Sequence, residues 1–269
     1  MVIVGDIACE PDRPVTAVEC QHEATAALVD QLNPDVIALA GDVQYDRGET
    51  ANFKASFDRT WGRFADRLRP APGNHDFATP GGAGYFDYFA SRGVSAGDRG
   101  KGWYRYQVGA WEVFALNSNC ALVGCDEGSE QLAWLTGELA ASTAACTLAY
   151  WHHPRFSSGL PGDSLAVAPL FEALHAAGAD VVVSGHDHDH ERFGPRLPTG
   201  ALDQQDGIRQ FVVGTGGRSL YPIPVVHGLS EARVVNEFGV VELTLSPGSY
   251  RWRFVGLGTG SDEGEAPCR

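Results

Sequence analysis

The chain has 269 residues, enough for one large α/β domain or two small ones with a sizeable buried core. Apolar residues make up 43% and charged residues 20%, as in globular proteins. The net charge of −14 argues against a nucleic-acid groove, because a polyanion is held by clustered Lys and Arg side chains, and the sequence has no such cluster. No apolar run approaches the roughly 18 residues that span a bilayer, so no membrane segment is predicted.

The first forty residues predict a β-α-β unit. Residues 2–6 form a short apolar run that ends in Asp6, residues 19–32 carry apolar side chains at helical spacing, and residues 35–42 form a second run ending in Asp42. Such a unit predicts two parallel strands with a right-handed crossover. Asp6 and Asp42 should then lie side by side at the carboxyl edge of the sheet, where open α/β sheets bind ligands.

The middle of the chain continues this alternation of helices and strands. Residues 103–108 and 111–116 alternate apolar and polar side chains around Gly109-Ala110, which predicts a β-hairpin. Further strands are predicted at 67–72, 147–151 and 180–184, and helices at 49–64, 85–92, 130–139 and 165–177.

After residue 192 the pattern becomes β-rich. Strands are predicted at 208–213, 239–245 and 250–255, and residues 257–269 are Gly-rich and acidic, which predicts a loose tail. We therefore expect one domain over residues 1–269, with polar motifs in 5–192 and a β-rich second half in 193–256. Two stacked sheets flanked by helices fit this order of elements.

Five short polar motifs each follow a predicted strand. They supply carboxylate, amide, phenol and imidazole groups, the ligand types suited to Fe, Zn or Mn. A glycine precedes four of them and lets the backbone turn sharply near an ion. The motifs are Gly5-Asp6, Gly41-Asp42-Val43-Gln44-Tyr45, Gly73-Asn74-His75-Asp76, His152-His153-Pro154 and Gly185-His186-Asp187-His188.

In this order the five motifs resemble the signature of purple acid phosphatases, within the calcineurin-like metallophosphoesterases. The resemblance runs from Asp6 to His188, about two-thirds of the chain. It implies a four-layer α/β/β/α sandwich, in which two mixed sheets are flanked by helices, and a dinuclear metal centre. Position by position, it implies a first metal at Asp6, Asp42, Tyr45 and His188, and a second at Asp42, Asn74, His152 and His186, with Asp42 bridging the two.

The first motif departs from the wider superfamily, where Asp-x-His is usual, because this chain has Asp6-Ile7-Ala8. Tyr45 supplies the missing donor, and a phenol ionises readily only on a strongly acidic cation, which favours Fe(III) there. The divalent partner could be Zn, Fe or Mn. The donors carry a charge of about −3, so an Fe(III)–M(II) pair with a bound hydroxide leaves about +1 to attract phosphate, whereas two divalent ions leave about zero.

The resemblance implies a phosphatase that hydrolyses small phosphate monoesters by attack of a metal-bound hydroxide, with His75 protonating the leaving group. Asp76 could orient His75. A phosphodiesterase or nucleotidase is the alternative, since the metal ligands do not separate these activities. Two alternatives do not involve catalysis. The protein could bind metal ions without turnover, or these residues could have only a structural role. The oligomeric state cannot be predicted.

Three further residues are candidate substrate contacts. His153 follows the expected ligand His152, His190 belongs to the polar cluster after the predicted strand at 180–184, and Arg218 ends a Gly-rich loop expected to pack near the metals. A hydrogen-bonded collar, rather than metal binding, is expected for Asp187, Asp189, His190, Glu191 and Arg192.

Six cysteines allow 15 pairings. Cys9–Cys20 and Cys120–Cys125 would close short loops and leave Cys146 to pair with Cys268, although buried thiols or a thiolate metal site are alternatives. Disulfides would place the protein in an oxidising compartment, secreted or periplasmic. Because Met1 is followed at once by a core strand, we expect that an export signal has been removed.

Overall fold

The computed structural model describes Met1–Arg269 and contains thirteen strands and seven α-helices. The strands are β1 (Val2–Val4), β2 (Ile37–Ala40), β3 (Leu68–Ala71), β4 (Tyr104–Val108), β5 (Trp111–Ala115), β6 (Cys146–Trp151), β7 (Val181–Ser184), β8 (His190–Phe193), β9 (Arg209–Val213), β10 (Ser230–Val234), β11 (Gly239–Ser246), β12 (Ser249–Gly256) and β13 (Ser261–Pro267). The helices are α1 (His22–Leu32), α2 (Thr50–Ala55), α3 (Phe57–Thr60), α4 (Ala83–Ser91), α5 (Cys120–Val123), α6 (Glu130–Ala141) and α7 (Ala168–Ala176).

The strands form two mixed sheets. The first has the order β13-β12-β11-β1-β2-β3, with β1, β2 and β3 parallel and the other three antiparallel to their neighbours. The second has the order β10-β8-β9-β7-β6-β5-β4, in which β5, β6, β7 and β9 are parallel. The second half of the chain contributes to both sheets, because β9 joins one sheet and β11 to β13 join the other.

The core lies between the sheets and beneath the helices. Side chains alternate along each strand, so Leu148 and Tyr150 of β6 enter the large cluster shared by both sheets and α1, whereas Ala149 and Trp151 face a second cluster with α6 and α7. Helices therefore cover the outer faces of both sheets. This arrangement confirms the expected sandwich of two mixed sheets flanked by helices.

The predicted β-α-β start is confirmed. Strands β1 and β2 are parallel, with Val2 opposite Ile37 and Val4 opposite Leu39. The amide of Asp6 donates to the carbonyl of Gly41, so the two acidic turns lie side by side as expected.

The tail expected to be loose is strand β13, so that prediction is wrong. Its side chains are mostly polar and lack an apolar face, which hid it from pattern reading. Backbone hydrogen bonds with β12 hold this strand in place. The indole of Trp252 also packs on Gly264, so closely that a Cβ on Gly264 would lie 2.3 Å from the indole ring. Strands β8 and β10 were missed for a related reason, because both are short and rich in charged residues.

All six cysteines form disulfides. They are Cys9–Cys20, Cys120–Cys125 and Cys146–Cys268, the pairs that loop length suggested, and no free thiol is left. The third bridge ties β6 to the end of β13. None of the helices combines the length and the apolar character that crossing a bilayer requires.

Candidate metal centre

The site lies where the carboxyl ends of five strands meet. Strands β1, β2 and β3 bring their motifs from one sheet, and β6 and β7 bring theirs from the other. The sheets approach closely here through two glycines: a Cβ on Gly5 would lie 3.2 Å from the Cα of Gly185, and one on Gly185 would lie 2.5 Å from Asp6 Oδ2. Any larger side chain would therefore separate the motifs.

Three of the site residues have left-handed backbone conformations that non-glycine residues seldom adopt. The φ angles are +62° for Asp6, +48° for Asp42 and +72° for His186. Such strain persists only where surrounding contacts enforce it, and it clusters at functional sites. The His186 amide is one such contact, since it donates to Asp6 Oδ2 over 2.8 Å.

Four donor atoms form a first group. The Tyr45 hydroxyl oxygen lies 2.7 Å from Asp6 Oδ1, 3.0 Å from Asp42 Oδ2 and 3.1 Å from His188 Nε2. His188 Nε2 is also 3.2 Å from Asp6 Oδ1. All four side chains are buried. These are the four residues expected at the first metal.

A second group shares one atom with the first. His152 Nε2 lies 3.1 Å from Asp42 Oδ2, 3.1 Å from Asn74 Oδ1 and 3.1 Å from His186 Nδ1. These are the residues expected at the second metal, and Asp42 Oδ2 belongs to both groups. The structure thus brings all seven predicted ligands together and divides them in the expected way.

The spacing of these atoms fits bound metal ions. Two ligand atoms at right angles on an ion that they bind at about 2.1 Å lie about 3 Å apart, which is the spacing found in both groups. Carboxylate, amide and phenol oxygens and imidazole nitrogens that converge at this spacing are the ligand types that bind a cation between them. A Cβ on Gly73 would lie 2.0 Å from Asp42 Oδ1, so the glycine keeps the space beside the shared carboxylate.

Hydrogen bonds away from the centre orient two of the histidine rings. His152 Nδ1 lies 3.0 Å from the carbonyl oxygen of Ala40, and His188 Nδ1 lies 2.8 Å from the Ser219 hydroxyl. A carbonyl only accepts, so His152 carries a proton on Nδ1 and directs Nε2 at the centre, and the Ser219 hydroxyl is able to accept the same bond from His188 when Nε2 binds a metal.

Without metal, the centre is held together by protons. Burial, Asp42 and Asp6 together raise the pKa of Tyr45 well above its usual value, so the phenol keeps its proton. Burial opposes protonation of His152, but the Asp42 and Asp6 carboxylates outweigh it and raise its pKa to about 9. The protonated His152 therefore supplies positive charge that metal ions would replace.

His75 lies at the open side of the centre. Its amide donates to Asp42 Oδ1 over 2.8 Å, its ring centroid is 4.3 Å from that of Tyr45, and its Nε2 lies 3.8 Å from Asp42 Oδ2. The ring is oriented by the backbone carbonyl of Asp46, 2.5 Å from Nδ1. This group was missed because no side-chain pattern marks a carbonyl.

Asp76 does not orient His75, so that expectation is corrected. Its carboxylate is fully buried and accepts hydrogen bonds from the amides of Gly73, Val43 and Gln44. Asp76 thus joins the loop that carries Asp42 to the loop that carries Asn74.

The tautomer of His153 follows from Ser118. The Ser118 oxygen accepts a hydrogen bond from the His153 amide over 2.9 Å and lies 2.8 Å from His153 Nδ1. The hydroxyl proton has no other acceptor, so it is donated to Nδ1 and leaves a proton on Nε2. Burial and the neighbouring His152 and His186 lower the pKa of His153 to about 2, which keeps the ring neutral. His153 therefore offers an N–H donor rather than a metal-binding lone pair.

His190 has no surface with which to touch a substrate, and that expectation is corrected. The ring is fully buried, stacks on Phe254 at 4.6 Å and lies 3.0 Å from Asp262. Three residues of the expected collar are hydrogen-bonded, since His190 and Arg192 reach Asp262 and Glu191 accepts from Ser158. The buried carboxylates of Asp187 and Asp189 have no hydrogen-bond partner, so the prediction is wrong for these two.

Arg218 lies beside the first group. Its guanidinium carbon is 5.0 Å from the centroid of the Tyr45 ring, and its side chain reaches Asp46 at 3.5 Å. The neighbouring Ser219 and Tyr221 were not predicted. The Tyr221 ring stacks on His188 with centroids 4.0 Å apart, and only the preceding Gly-rich loop marked this region in the sequence.

Comparisons with known proteins agree with this geometry. The family model for calcineurin-like phosphoesterases matches residues 1–190. Purple acid phosphatase 15 of Arabidopsis thaliana is 27% identical over 251 residues, which cover 81% of this chain and 44% of that protein. An uncharacterized protein of Mycobacterium tuberculosis is 26% identical over 249 residues. The alignment covers 73% of this chain and 46% of that protein. The chain spans less than half the length of these curated relatives.

Two solved structures share the fold. A purple acid phosphatase from yellow lupin (Lupinus luteus) seeds aligns with a TM-score of 0.77 at 19% identity, covering 99% of this chain and 53% of that one. GAP50, the anchor in the inner membrane complex of Plasmodium, aligns with a TM-score of 0.68 at 14% identity. The alignment covers 100% of this chain and 88% of that one. The family match over 190 of the 269 residues shows that the chain belongs to the calcineurin-like phosphoesterase family, with a confirmed resemblance to purple acid phosphatases.

Proposed function

We propose that this protein hydrolyses small phosphate monoesters at a dinuclear centre. Members of its family use a dinuclear metal centre. The observation that carries the proposal is the division of seven donors, five of them buried, into two groups that share Asp42 Oδ2. When bound, two ions supply Lewis-acid activation of the phosphoryl group and of the attacking water.

Side chains at the open side would then handle the substrate. His75 has a partly exposed ring next to Asp42, which suits protonation of a departing alcohol. His153 would donate from Nε2 to a phosphoryl oxygen. Arg218 would add positive charge near the first group, although Asp46 partly neutralises it. All three contribute local attraction for an anion in a molecule of net charge −14.

We assign Fe(III) to the group with Tyr45 and a divalent ion, Zn, Fe or Mn, to the other. Burial and two carboxylates oppose ionisation of the Tyr45 phenol, so only a strongly acidic cation displaces its proton readily. The two groups also differ in composition: the first has three oxygens and one nitrogen, whereas the second has two of each.

Asp42→Ala tests the proposal, because this variant removes the atom that the two groups share. The wild-type chain should retain two metal ions and release phosphate from p-nitrophenyl phosphate, and the variant should lose at least one ion and nearly all turnover. Asp66→Ala, at a highly exposed carboxylate, is the matched control. A variant that kept both ions and full turnover would refute the assignment.

A phosphodiesterase or nucleotidase remains the second candidate, because the same donors serve both reactions. Relative rates on bis-p-nitrophenyl phosphate and on the monoester decide between them. A non-catalytic metal protein is the rival of another class, and a shared fold does not exclude it, since GAP50 is described as an anchor. That rival requires two bound ions without phosphate release.

We also propose that the protein works in an oxidising compartment, secreted or periplasmic. All six cysteines are paired in three disulfides, and disulfides form and persist in such compartments.

A further inference from the structure

A short segment between β9 and β10, residues 216–221, holds His188 in three ways. Ser219 Oγ lies 2.8 Å from His188 Nδ1, within hydrogen-bond distance, and orients the ring. The Tyr221 ring stacks on the imidazole at a centroid distance of 4.0 Å and an interplanar angle of 3°. The Tyr221 amide also donates to the His188 carbonyl over 3.0 Å. The ring nitrogen, the ring face and the backbone of this ligand are all set by one segment.

The same segment contacts two other members of the first donor group. The Arg218 amide donates to the carbonyl of Asp6 over 3.0 Å, and the Arg218 guanidinium lies over the Tyr45 ring. The segment makes no hydrogen bond to the second-group ligands Asn74, His152 and His186. Its influence therefore falls on one half of the centre.

The far side of the segment rests on the Cys9–Cys20 disulfide and the residues after it. The Cys20 amide donates to the Arg218 carbonyl over 3.2 Å, and the Gln21 amide donates to the Gly217 carbonyl over 2.8 Å. Gly217 is so close to this backing that a Cβ would lie 2.4 Å from the backbone nitrogen of His22. Both sulfurs belong to buried residues. The disulfide thus fixes the surface on which the segment is supported.

We propose that Ser219 and Tyr221 are positioning residues for the first metal, and that the Cys9–Cys20 disulfide clamps the segment that carries them. The inference rests on the dinuclear site of the proposed function but not on its reaction. Partners that orient metal-binding imidazoles change metal affinity by about 10- to 100-fold when removed. The clamp should therefore control the first metal position and leave the second unchanged.

Calorimetric titration of the metal-free protein with Fe(III), supplied as a citrate chelate, and then with Zn²⁺ tests the role of Ser219. The wild-type chain should show two binding steps, which Tyr45→Phe and Asn74→Ala assign to the first and second groups. Ser219→Ala should weaken the first step by about 10- to 100-fold and leave the second. Ser219→Thr, which keeps the hydroxyl, should restore it. Tyr221→Leu should act like Ser219→Ala, whereas Tyr221→Phe keeps the stacked ring and should not.

The disulfide is tested in the same experiment. Cys9→Ala/Cys20→Ala should weaken the first step, whereas Cys120→Ala/Cys125→Ala, which also removes a short-loop disulfide, should leave that step unchanged. The inference would be overturned if Ser219→Ala weakened both steps equally, or if the first step were insensitive to the loss of Cys9–Cys20. The proposed function would be unaffected by either result. A wild-type chain without two binding steps would overturn the proposed function as well.

Discussion

Tyr45 is the residue that most sharply separates one metal chemistry from another. Its phenol lies within 3.1 Å of Asp6, Asp42 and His188, and its pKa without metal is raised far above the usual value by burial and by the two carboxylates. Binding of an ion through this oxygen must release a proton, so affinity at the first position should fall as the pH is lowered.

We predict that Tyr45→Phe loses both signs of tyrosinate binding. The iron-loaded wild-type chain should be pink to violet from tyrosinate-to-Fe(III) charge transfer, and the variant should lose this band. Metal loading in a pH-stat should release about one proton fewer from the variant than from the wild type. A colourless wild-type protein with two zinc ions would contradict the iron assignment and leave the phosphatase proposal intact.

Ser118 should act on catalysis through His153. Without its hydroxyl, Nδ1 of His153 has no donor and the neutral ring can place its proton on either nitrogen. We predict that Ser118→Ala raises KM about three- to tenfold with unchanged metal content, as expected for the loss of one substrate hydrogen bond. Ser118→Thr should restore KM. Loss of metal in Ser118→Ala would instead indicate that His153 is a ligand.

At the scale of elements, the sequence predicted the strands that carry the ligands better than those that frame them. Strands β1, β2, β6 and β7 are apolar runs that end in polar motifs, because strands buried on both faces leave only their ends for chemistry. Strands β8 and β10 pair with each other across a long stretch of chain, and β13 pairs with the preceding strand β12 through its backbone. The polar side chains of these strands give no apolar pattern that would mark them.

For the site, too, only part of the arrangement could be predicted from the sequence. The seven donors are fixed by motifs at strand ends, and strand order brings them together. By contrast, the carbonyl of Asp46, the hydroxyl of Ser118 and the stacked ring of Tyr221 orient these donors across loops. Their residue types are common in loops, so only the three-dimensional structure identifies them. The expectation for His190 failed because β8 turns that ring inward.

The glycine that follows strand β3 and precedes Asn74 should be essential to the metal centre. A Cβ on Gly73 would lie 2.0 Å from Asp42 Oδ1 and 2.3 Å from its backbone nitrogen, so Gly73→Ala must displace the shared ligand or its own loop. We predict loss of at least one ion and at least a 100-fold loss of turnover. Gly137→Ala, in α6 with open space around it, is the matched control and should stabilise the fold by about 0.5–1 kcal/mol.

For the whole molecule, the Cys146–Cys268 disulfide is the main covalent constraint. It joins residues 122 apart, so its loss should lower the free energy of unfolding by about 4–5 kcal/mol, against about 2 kcal/mol for Cys120–Cys125, whose residues are 5 apart. Denaturant unfolding of the two double Cys→Ala variants measures this difference. Equal losses would show that the longer loop adds no constraint. Metal binding should survive in the Cys146–Cys268 variant, since that bridge lies away from the centre.

The proposed function requires the Asp42 carboxylate to belong to two metal positions. Anomalous X-ray scattering from crystals of the metal-loaded protein tests it most directly. We expect two peaks, one enclosed by Asp6, Asp42, Tyr45 and His188, the other by Asp42, Asn74, His152 and His186. The iron absorption edge should identify the first. A single peak, or one enclosed by His152, His153 and His186, whose ring nitrogens also lie within 4.8 Å of one another, would contradict it.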